Sequence, residues 1–181
     1  MHLTGAFARL EQMSPARANL LRWGLAVLAV GGVVYGLLGR PTSRPAAQPL
    51  PNLVLETEQG QPQNLRAFVG KPVVLNAWAT WCAPCRREMP LLLEEAARQH
   101  DVQFVFVNMG EGPEAIRIFL DEVKRKEIPN LLLDKKTALS EALQIQGLPT
   151  TLFFDAKGNL LARHLGEINR EELRGYLRRL E

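Results

Sequence analysis

The stretch that decides the fold spans residues 73–85 and reads VVLNAWATWCAPC. Its first six residues, 73–78, form an apolar run with the length and the branched side chains of a buried β-strand. In residues 86–99 the apolar side chains recur at the spacing of a helix. Cys82 and Cys85, the two cysteines of the chain, therefore lie where a strand passes into a helix.

The position of the two cysteines predicts a reactive pair. Backbone N–H groups in the first turn of a helix have no intrahelical partner and carry the positive end of the helix dipole, so they stabilise an anion. We therefore expect the pKa of the Cys82 thiol to lie below that of a free cysteine, which makes Cys82 the attacking thiolate. Cys85 follows one turn later, close enough to close a disulfide and to resolve a mixed disulfide. Because Cys85 continues the apolar stripe of the helix, we expect an exposed Cys82 and a shielded Cys85.

Two other interpretations of the pair are a static disulfide and half of a zinc site. The three histidines, His2, His100 and His164, do not have the spacing of zinc ligands. A disulfide across so small a loop removes little entropy from the unfolded chain and adds little stability. A redox-active pair without a bound metal is therefore the favoured interpretation.

The N-terminal 51 residues differ in charge from the rest of the chain. They contain five arginines and one glutamate, whereas the 17 basic and 18 acidic residues that follow nearly balance. A near-neutral globular part has no electrostatic footprint for nucleic acid, so we expect no nucleic-acid partner.

Residues 23–39 are uncharged and rich in Leu, Val, Ala and Gly, which is typical of a membrane span. We predict a cytoplasmic tail at 1–19, a single transmembrane anchor at 20–39, a proline-rich linker at 40–51 that does not pack, and a globular domain at 52–181. More arginines precede the span than follow it, which favours the N-terminus inside and the domain outside. A cleaved signal peptide is the alternative, although no convincing cleavage site follows.

The globular part alternates strands and helices, and it ends with a hairpin and a last helix. This order predicts an α/β fold with a mixed central sheet flanked by helices. Asn169, with Glu172 three residues later, has the pattern of a capping box at the start of the last helix. The predicted strands are 53–57, 73–78, 102–107, 130–133, 150–154 and 160–164, and the helices before the last one are 86–99, 114–126 and 136–143.

Two segments resemble landmarks of one protein family. Residues 70–90, GKPVVLNAWATWCAPCRREMP, are similar to the active-site segment of the TlpA/ResA branch of membrane-anchored thioredoxin-like proteins, which includes the cytochrome c maturation reductases. Residues 147–155, GLPTTLFFD, resemble the second landmark of that family. The resemblance covers about residues 53–181. It implies a thioredoxin-like fold with an N-terminal strand extension, and with an extra helix and strand inserted at 114–133.

The resemblance also implies roles for individual residues. It implies a cis peptide bond between Leu148 and Pro149, which places this backbone beside the first cysteine to pair with a substrate segment. We assign Trp81 to substrate binding with these two residues, and expect it to pack around the cysteine turn rather than react. An acidic residue at the position of Glu88 is a feature of the ResA-like group, and it is expected to shuttle a proton during exchange. A solvated helix glutamate is the alternative interpretation of Glu88.

Asn76 departs from the pattern of ordinary thioredoxins, which bear a buried aspartate there that assists the resolving cysteine. An amide cannot take up a proton in its place. The base that serves Cys85 is then expected to be Glu88 or water.

The resemblance implies a thiol-disulfide oxidoreductase at the cytoplasmic (inner) membrane of a bacterium, with its catalytic domain on the periplasmic side. Its implied substrates are proteins with cysteine pairs, such as apocytochrome c or a copper-site protein, and its implied electron donor is a membrane thiol transporter. No organic cofactor is implied. The alternatives are a copper(I)-delivery module that uses the two soft thiolates, and a thiol peroxidase. For the copper module the sequence offers no convincing third ligand, and His164 is the one candidate that a binding test would probe.

Overall fold

The computed structural model describes residues 48–180, and every structural statement below concerns these residues. Their seven strands form one sheet in the order β2-β1-β5-β4-β3-β6-β7. The strands are β1 (Val54–Thr57), β2 (Pro62–Asn64), β3 (Val73–Trp78), β4 (Gln103–Met109), β5 (Leu131–Asp134), β6 (Thr150–Phe154) and β7 (Leu160–Leu165). The helices are α1 (Ala83–Arg98), α2 (Pro113–Glu122), α3 (Ala138–Leu143) and α4 (Arg170–Leu177), with a 3-10 turn at Leu65–Phe68.

Strand β3 lies at the centre of the sheet and makes it a mixed sheet. It pairs with β4 in parallel and with β6 in antiparallel orientation. In the parallel pair Trp78 is opposite Asn108, so the chain leaving β3 and the chain leaving β4 emerge at the same edge of the sheet. This edge carries the cysteine turn.

The alternation of side chains along β3 builds an apolar core on each side of the sheet. Val74 and Trp78 pack with α1, α2 and α4 on one side, in the cluster that also holds both cysteines. Val73, Leu75 and Ala77 pack with the 3-10 turn and α3 on the other side. Because β3 is buried on both faces, its sequence is a continuous apolar run interrupted by Asn76.

The order and type of the predicted elements are confirmed, including the capping box of Asn169 and Glu172 at the start of α4. Helix α2 ends at Glu122, earlier than predicted, and the chain turns at Lys124, which has a φ of 54°. The short strand β2 was not predicted, because its residues are polar and it lies at the edge of the sheet.

The prediction that the whole segment 40–51 does not pack is wrong for its last residues. Leu50 is only 1% exposed and joins the core on the α3 side of the sheet. Its N–H donates to the carbonyl of Gly158 at 2.7 Å, and Leu160 N–H donates to the carbonyl of Gln48 at 3.0 Å. Gly158 has a φ of 82°, and a Cβ there would lie 3.0 Å from the side chain of Val69. The turn therefore needs glycine, and the apolar side chain of Leu50 attaches the chain to it.

Among residues 48–180 we find no helix that is long and apolar enough to cross a membrane. The predicted tail at 1–19, the predicted anchor at 20–39 and most of the predicted linker lie outside the described residues.

Candidate active site

Cys82 and Cys85 form a disulfide at the start of α1, with their Cα atoms 5.2 Å apart. Cys82 is the N-cap of the helix, and its sulfur accepts the N–H of Cys85 at 3.3 Å. The sequence places Pro84 in the first turn, where its missing N–H costs no helical hydrogen bond and its fixed φ suits the helix. The cysteines are thus held at the helix N-terminus, where backbone donors stabilise a thiolate.

The two cysteines differ less in exposure than the sequence predicts. Cys85 is fully buried, as expected, but Cys82 is only 5% exposed, so the prediction of an exposed Cys82 is wrong for the disulfide form. The reason is that both residues belong to the apolar cluster under α1. A thiolate that attacks this disulfide must therefore approach the sulfur of Cys82 closely and in a defined direction.

Glu88 lies on α1 three residues after Cys85 and is buried, with 2% of its surface exposed. Its Oε1 accepts the side-chain N–H of Asn76 at 2.8 Å, and its Oε2 accepts the backbone N–H of Ile168 at 2.8 Å. The alternative of a solvated helix glutamate is therefore excluded.

Burial raises the pKa of Glu88 to about 7. The bonds from Ile168 and Asn76 act in the opposite direction, because both donate to the ionised form, and the negative charge of Glu167 adds a smaller upward shift. A carboxyl group that titrates near neutral pH on the same helical face as Cys85 has the proton affinity that a general acid or base needs.

Asn76, on β3, connects Glu88 of α1 to the neighbouring strand β6. Its amide nitrogen donates to Glu88 and also to the hydroxyl of Thr151 on β6, at 3.1 Å. Its buried Oδ1 has no hydrogen-bond partner among the described residues. At this position the chain thus has a group that orients the carboxyl of Glu88 without titrating itself.

A second carboxylate, Glu111, holds the turn that leads into the cysteines. It follows β4 and accepts the backbone N–H of Thr80 at 2.7 Å, the hydroxyl of Thr80 at 2.5 Å and the side-chain N–H of Asn108 at 2.7 Å. Glu111 belongs to no motif that the sequence pattern singles out. The signal for it is its place directly after a strand parallel to β3, because the ends of parallel neighbours meet at one edge.

The peptide bond between Leu148 and Pro149 is cis, as predicted. Pro149 is buried and Leu148 partly buried, where the chain enters β6. Trp81 does not pack around the cysteine turn as expected, because 70% of its surface is exposed. Its assignment to substrate binding, with that of Leu148 and Pro149, stays a prediction.

The candidate third copper ligand, His164, lies on β7 and contacts other groups. Its Nε2 is 3.2 Å from the carbonyl of Glu167, and its ring meets Tyr176 edge-on. Within residues 48–180 no three His, Cys, Asp or Glu side chains are grouped in a way that could hold a metal ion.

The amino-acid sequence of the chain matches a known protein family. Residues 45–180 match the Redoxin family model. The thiol-disulfide oxidoreductase ResA of a Bacillus cereus strain is 30% identical over 155 residues, which cover 84% of this chain and 88% of the relative. The thioredoxin-like protein YneN of Bacillus subtilis is 34% identical, with 70% of this chain and 75% of YneN covered.

Solved structures share the fold. A putative thiol:disulfide interchange protein DsbE from Chlorobium tepidum superposes with a TM-score of 0.66 at 25% identity, covering 74% of this chain and 96% of that one. The mixed sheet with its flanking helices is thus a thioredoxin-like fold, as the family resemblance implies. With the disulfide-forming Cys82 and Cys85 at the first turn of α1, the chain belongs to the Redoxin family and is a thiol-disulfide oxidoreductase of the ResA/DsbE type.

Proposed function

We propose that the chain reduces specific disulfides of other proteins on the periplasmic side of a bacterial inner membrane, to which a single N-terminal helix anchors it. The observation that carries the proposal is the Cys82–Cys85 disulfide at the N-terminus of α1 with the buried carboxyl of Glu88 on the same helix. The similarity to proteins named ResA and DsbE supports it. The uncharged segment 23–39 supports the anchor.

The reaction proceeds in two exchanges. In the first, the thiolate of Cys82 attacks one sulfur of the substrate disulfide, and the other substrate sulfur leaves as a thiolate. In the second, Cys85 gives its proton to Glu88 and attacks the sulfur of Cys82, which releases the second substrate sulfur. The substrate gains two electrons, and the protein ends with the Cys82–Cys85 disulfide.

The substrate-binding face is proposed to consist of Trp81, Leu148 and Pro149. The exposed indole of Trp81 offers apolar area beside the turn, and the backbone at Leu148 offers hydrogen bonds to an extended segment. Proposed substrates are the cysteine pairs of apocytochrome c or of a copper-site protein. A membrane thiol transporter is the proposed donor that returns the disulfide to the dithiol.

Equilibration of the full-length chain with thiol redox buffers tests the direction of the reaction. A reduction potential of the Cys82/Cys85 couple near or below about −250 mV would support a reductant, and a value above about −180 mV would show an oxidant or an isomerase. The variant Cys85→Ser is the companion test, because it stops the reaction after the first exchange. It should accumulate a mixed disulfide through Cys82, and the matched variant Cys82→Ser should accumulate none.

A further inference from the structure

We propose that Glu111 is a positioning residue that holds the cysteine turn in its disulfide conformation and thereby lowers the reduction potential of the Cys82/Cys85 couple. The proposal rests on the redox role of the two cysteines and adds a residue outside both sequence landmarks. The evidence for it is the set of hydrogen bonds made by Thr80, two residues before Cys82.

The carboxylate of Glu111 holds Thr80 from one side. Oε2 accepts the backbone N–H of Thr80 and Oε1 accepts its hydroxyl, so both oxygens bind the same residue. The side chain of Asn108, at the end of β4, donates to Oε2 and fixes the carboxylate against the sheet. Because Glu111 is partly buried and Thr80 donates two hydrogen bonds to a charged acceptor, this contact is strong by the standards of side-chain hydrogen bonds.

Arg86 holds the same residue from the other side. Its guanidinium donates to the carbonyl of Thr80 at 3.3 Å and forms an ion pair with Glu122 of α2 at 2.8 Å. It also lies over the ring of Phe119, 5.1 Å from the centroid, and Phe119 packs against Trp78 at the end of β3. All three polar groups of Thr80 are thus hydrogen-bonded. Glu111, in the loop before α2, accepts the backbone N–H and the hydroxyl, and Arg86, which is paired with Glu122 of α2, donates to the carbonyl.

This arrangement fixes where the chain can place Cys82. The N–H of Cys82 donates to the carbonyl of Ala79 at 3.3 Å, so the turn from Ala79 to Cys82 is closed on itself around Thr80. The hydrogen bonds to Thr80 therefore fix the backbone of the whole turn from Ala79 to Cys82. The structure contains the disulfide, and the clamp formed by Glu111 and Arg86 is complete in that state.

The charge of Glu111 acts in the same direction as its geometry. A reduction potential compares the free energies of the disulfide and the dithiol, so a contact that stabilises both forms equally leaves it unchanged. Glu111 binds Thr80, two residues before Cys82, and a negative charge bound to this turn disfavours the formation of another at the Cys82 sulfur. Glu111 thus favours the disulfide, which makes the dithiol form a better reductant.

The test is the equilibrium of full-length variants with glutathione, followed by the fraction of disulfide. Glu111→Gln keeps the size of the side chain but removes its charge and turns an amide toward the donors of Thr80 and Asn108. We expect the equilibrium to shift about tenfold toward the dithiol, which is about 30 mV upward in potential. The matched control is Glu114→Gln, since Glu114 is exposed and pairs with Arg117 on its own helix, and it should leave the equilibrium unchanged.

A second pair of variants separates positioning from general stability. Thr80→Val removes the hydroxyl bond to Oε1 and keeps the backbone bond to Oε2, so we expect a shift of about threefold in the same direction, roughly half the free energy of the tenfold shift. Thr80→Ser keeps a hydroxyl and should restore the original value. If Glu111→Gln lowers the melting temperature of both redox forms equally and leaves the equilibrium unchanged, Glu111 is a structural residue only and the proposal is wrong.

The two Thr80 variants decide the question if Glu111→Gln does not fold. An equal potential in the Val and Ser variants would overturn the proposal. The reductant function itself depends on the absolute potential of the unsubstituted chain, whereas this proposal depends on a difference between variants. Failure of one is therefore distinguishable from failure of the other.

Discussion

The two carboxylates beside the cysteine turn, Glu88 and Glu111, are held in contrasting ways. Glu88 lies inside the protein with two donors, the side chain of Asn76 and the backbone of Ile168. Glu111 is only partly buried, yet it accepts three hydrogen bonds, two of them from Thr80. The comparison shows two uses of one functional group. At Glu88 the effect of burial exceeds that of the two donors, so the pKa of the carboxyl group rises to about 7. At Glu111 the hydrogen bonds to the carboxylate fix the backbone of the cysteine turn.

The largest expected effect is the pH dependence of the unfolding free energy that comes from buried Glu88. The pKa of Glu88 is raised from 4.5 to about 7 in the folded chain, so folding favours its protonated form. This contribution to stability is fully present below about pH 4.5 and is lost as the pH rises through 7. At about 1.4 kcal/mol per unit, the loss amounts to about 3 kcal/mol.

Urea unfolding of the disulfide form from about pH 4 to about pH 8 measures this loss. Glu88→Gln has no carboxyl to ionise, so its unfolding free energy should rise by about 3 kcal/mol relative to the unsubstituted chain over that interval. The exposed pair variant Glu114→Gln is the control and should follow the unsubstituted chain. Parallel curves for all three proteins would contradict the raised pKa and remove the contrast with Glu111.

The next effect concerns the rate of exchange. If Glu88 accepts the proton of Cys85, resolution of a mixed disulfide should speed up with a midpoint near pH 7, the pKa of Glu88. Glu88→Gln should slow this step about 100-fold near neutral pH and move its midpoint toward the ordinary thiol value of about 8.5. Stopped-flow measurement of the second exchange from about pH 5 to about pH 10 gives both numbers. An unchanged profile would leave Glu88 as a buried structural group.

The sequence predicts most of the frame of this site but not how the two carboxylates are held. The apolar run of β3, the position of Cys82 at a helix start and the cis bond before Pro149 follow from local pattern and resemblance, and the structure contains all three. These features depend on residues that are neighbours in the chain. Local pattern is therefore sufficient for the strand and the helix start, whereas the cis bond is what the family resemblance implies.

The burial of Glu88 depends instead on a backbone N–H that is 80 positions away, at Ile168. The contact of Glu111 with Thr80 spans 31 positions and joins two loops. No periodicity encodes such contacts, because a backbone N–H has no sequence identity and a loop carboxylate looks like any solvated one. Trp81 illustrates the opposite error. An aromatic residue beside the cysteines suggests packing, but the turn directs its side chain outward.

A smaller effect on the pKa of Glu88 is expected from the hydrogen bond that Asn76 donates to it. Asn76→Leu keeps the branched shape of the side chain but removes the N–H that donates to ionised Glu88. We expect the pKa of Glu88 to rise by about one unit, which is about tenfold in proton affinity. The variant also leaves Glu88 Oε1 and the hydroxyl of Thr151 without the amide donor, so we expect it to lose about 1–3 kcal/mol of stability at low pH, and the test is the midpoint of Glu88 rather than stability.

The carboxyl signal of Glu88, followed by NMR during a pH titration, reports this shift. Thr151→Val is the matched variant, because it removes the other partner of Asn76 and leaves the bond to Glu88 in place. Its effect on the Glu88 midpoint should be smaller than that of Asn76→Leu. Equal midpoints in the unsubstituted chain and in Asn76→Leu would show that the amide does not hold the charge of Glu88.

The smallest effect comes from the part of the turn that contacts neither carboxylate. With 70% of its surface exposed, Trp81 contributes little to folding, and Trp81→Ala should change the unfolding free energy by less than about 0.5 kcal/mol. The reduction potential and the pKa of Glu88 should also stay unchanged. Reduction of a small disulfide such as oxidised glutathione should keep its rate, whereas reduction of a protein disulfide should slow a few-fold, because a protein substrate loses the apolar contact. A shift in potential in this variant would mean that the indole, and not only the two carboxylates, positions the cysteine turn.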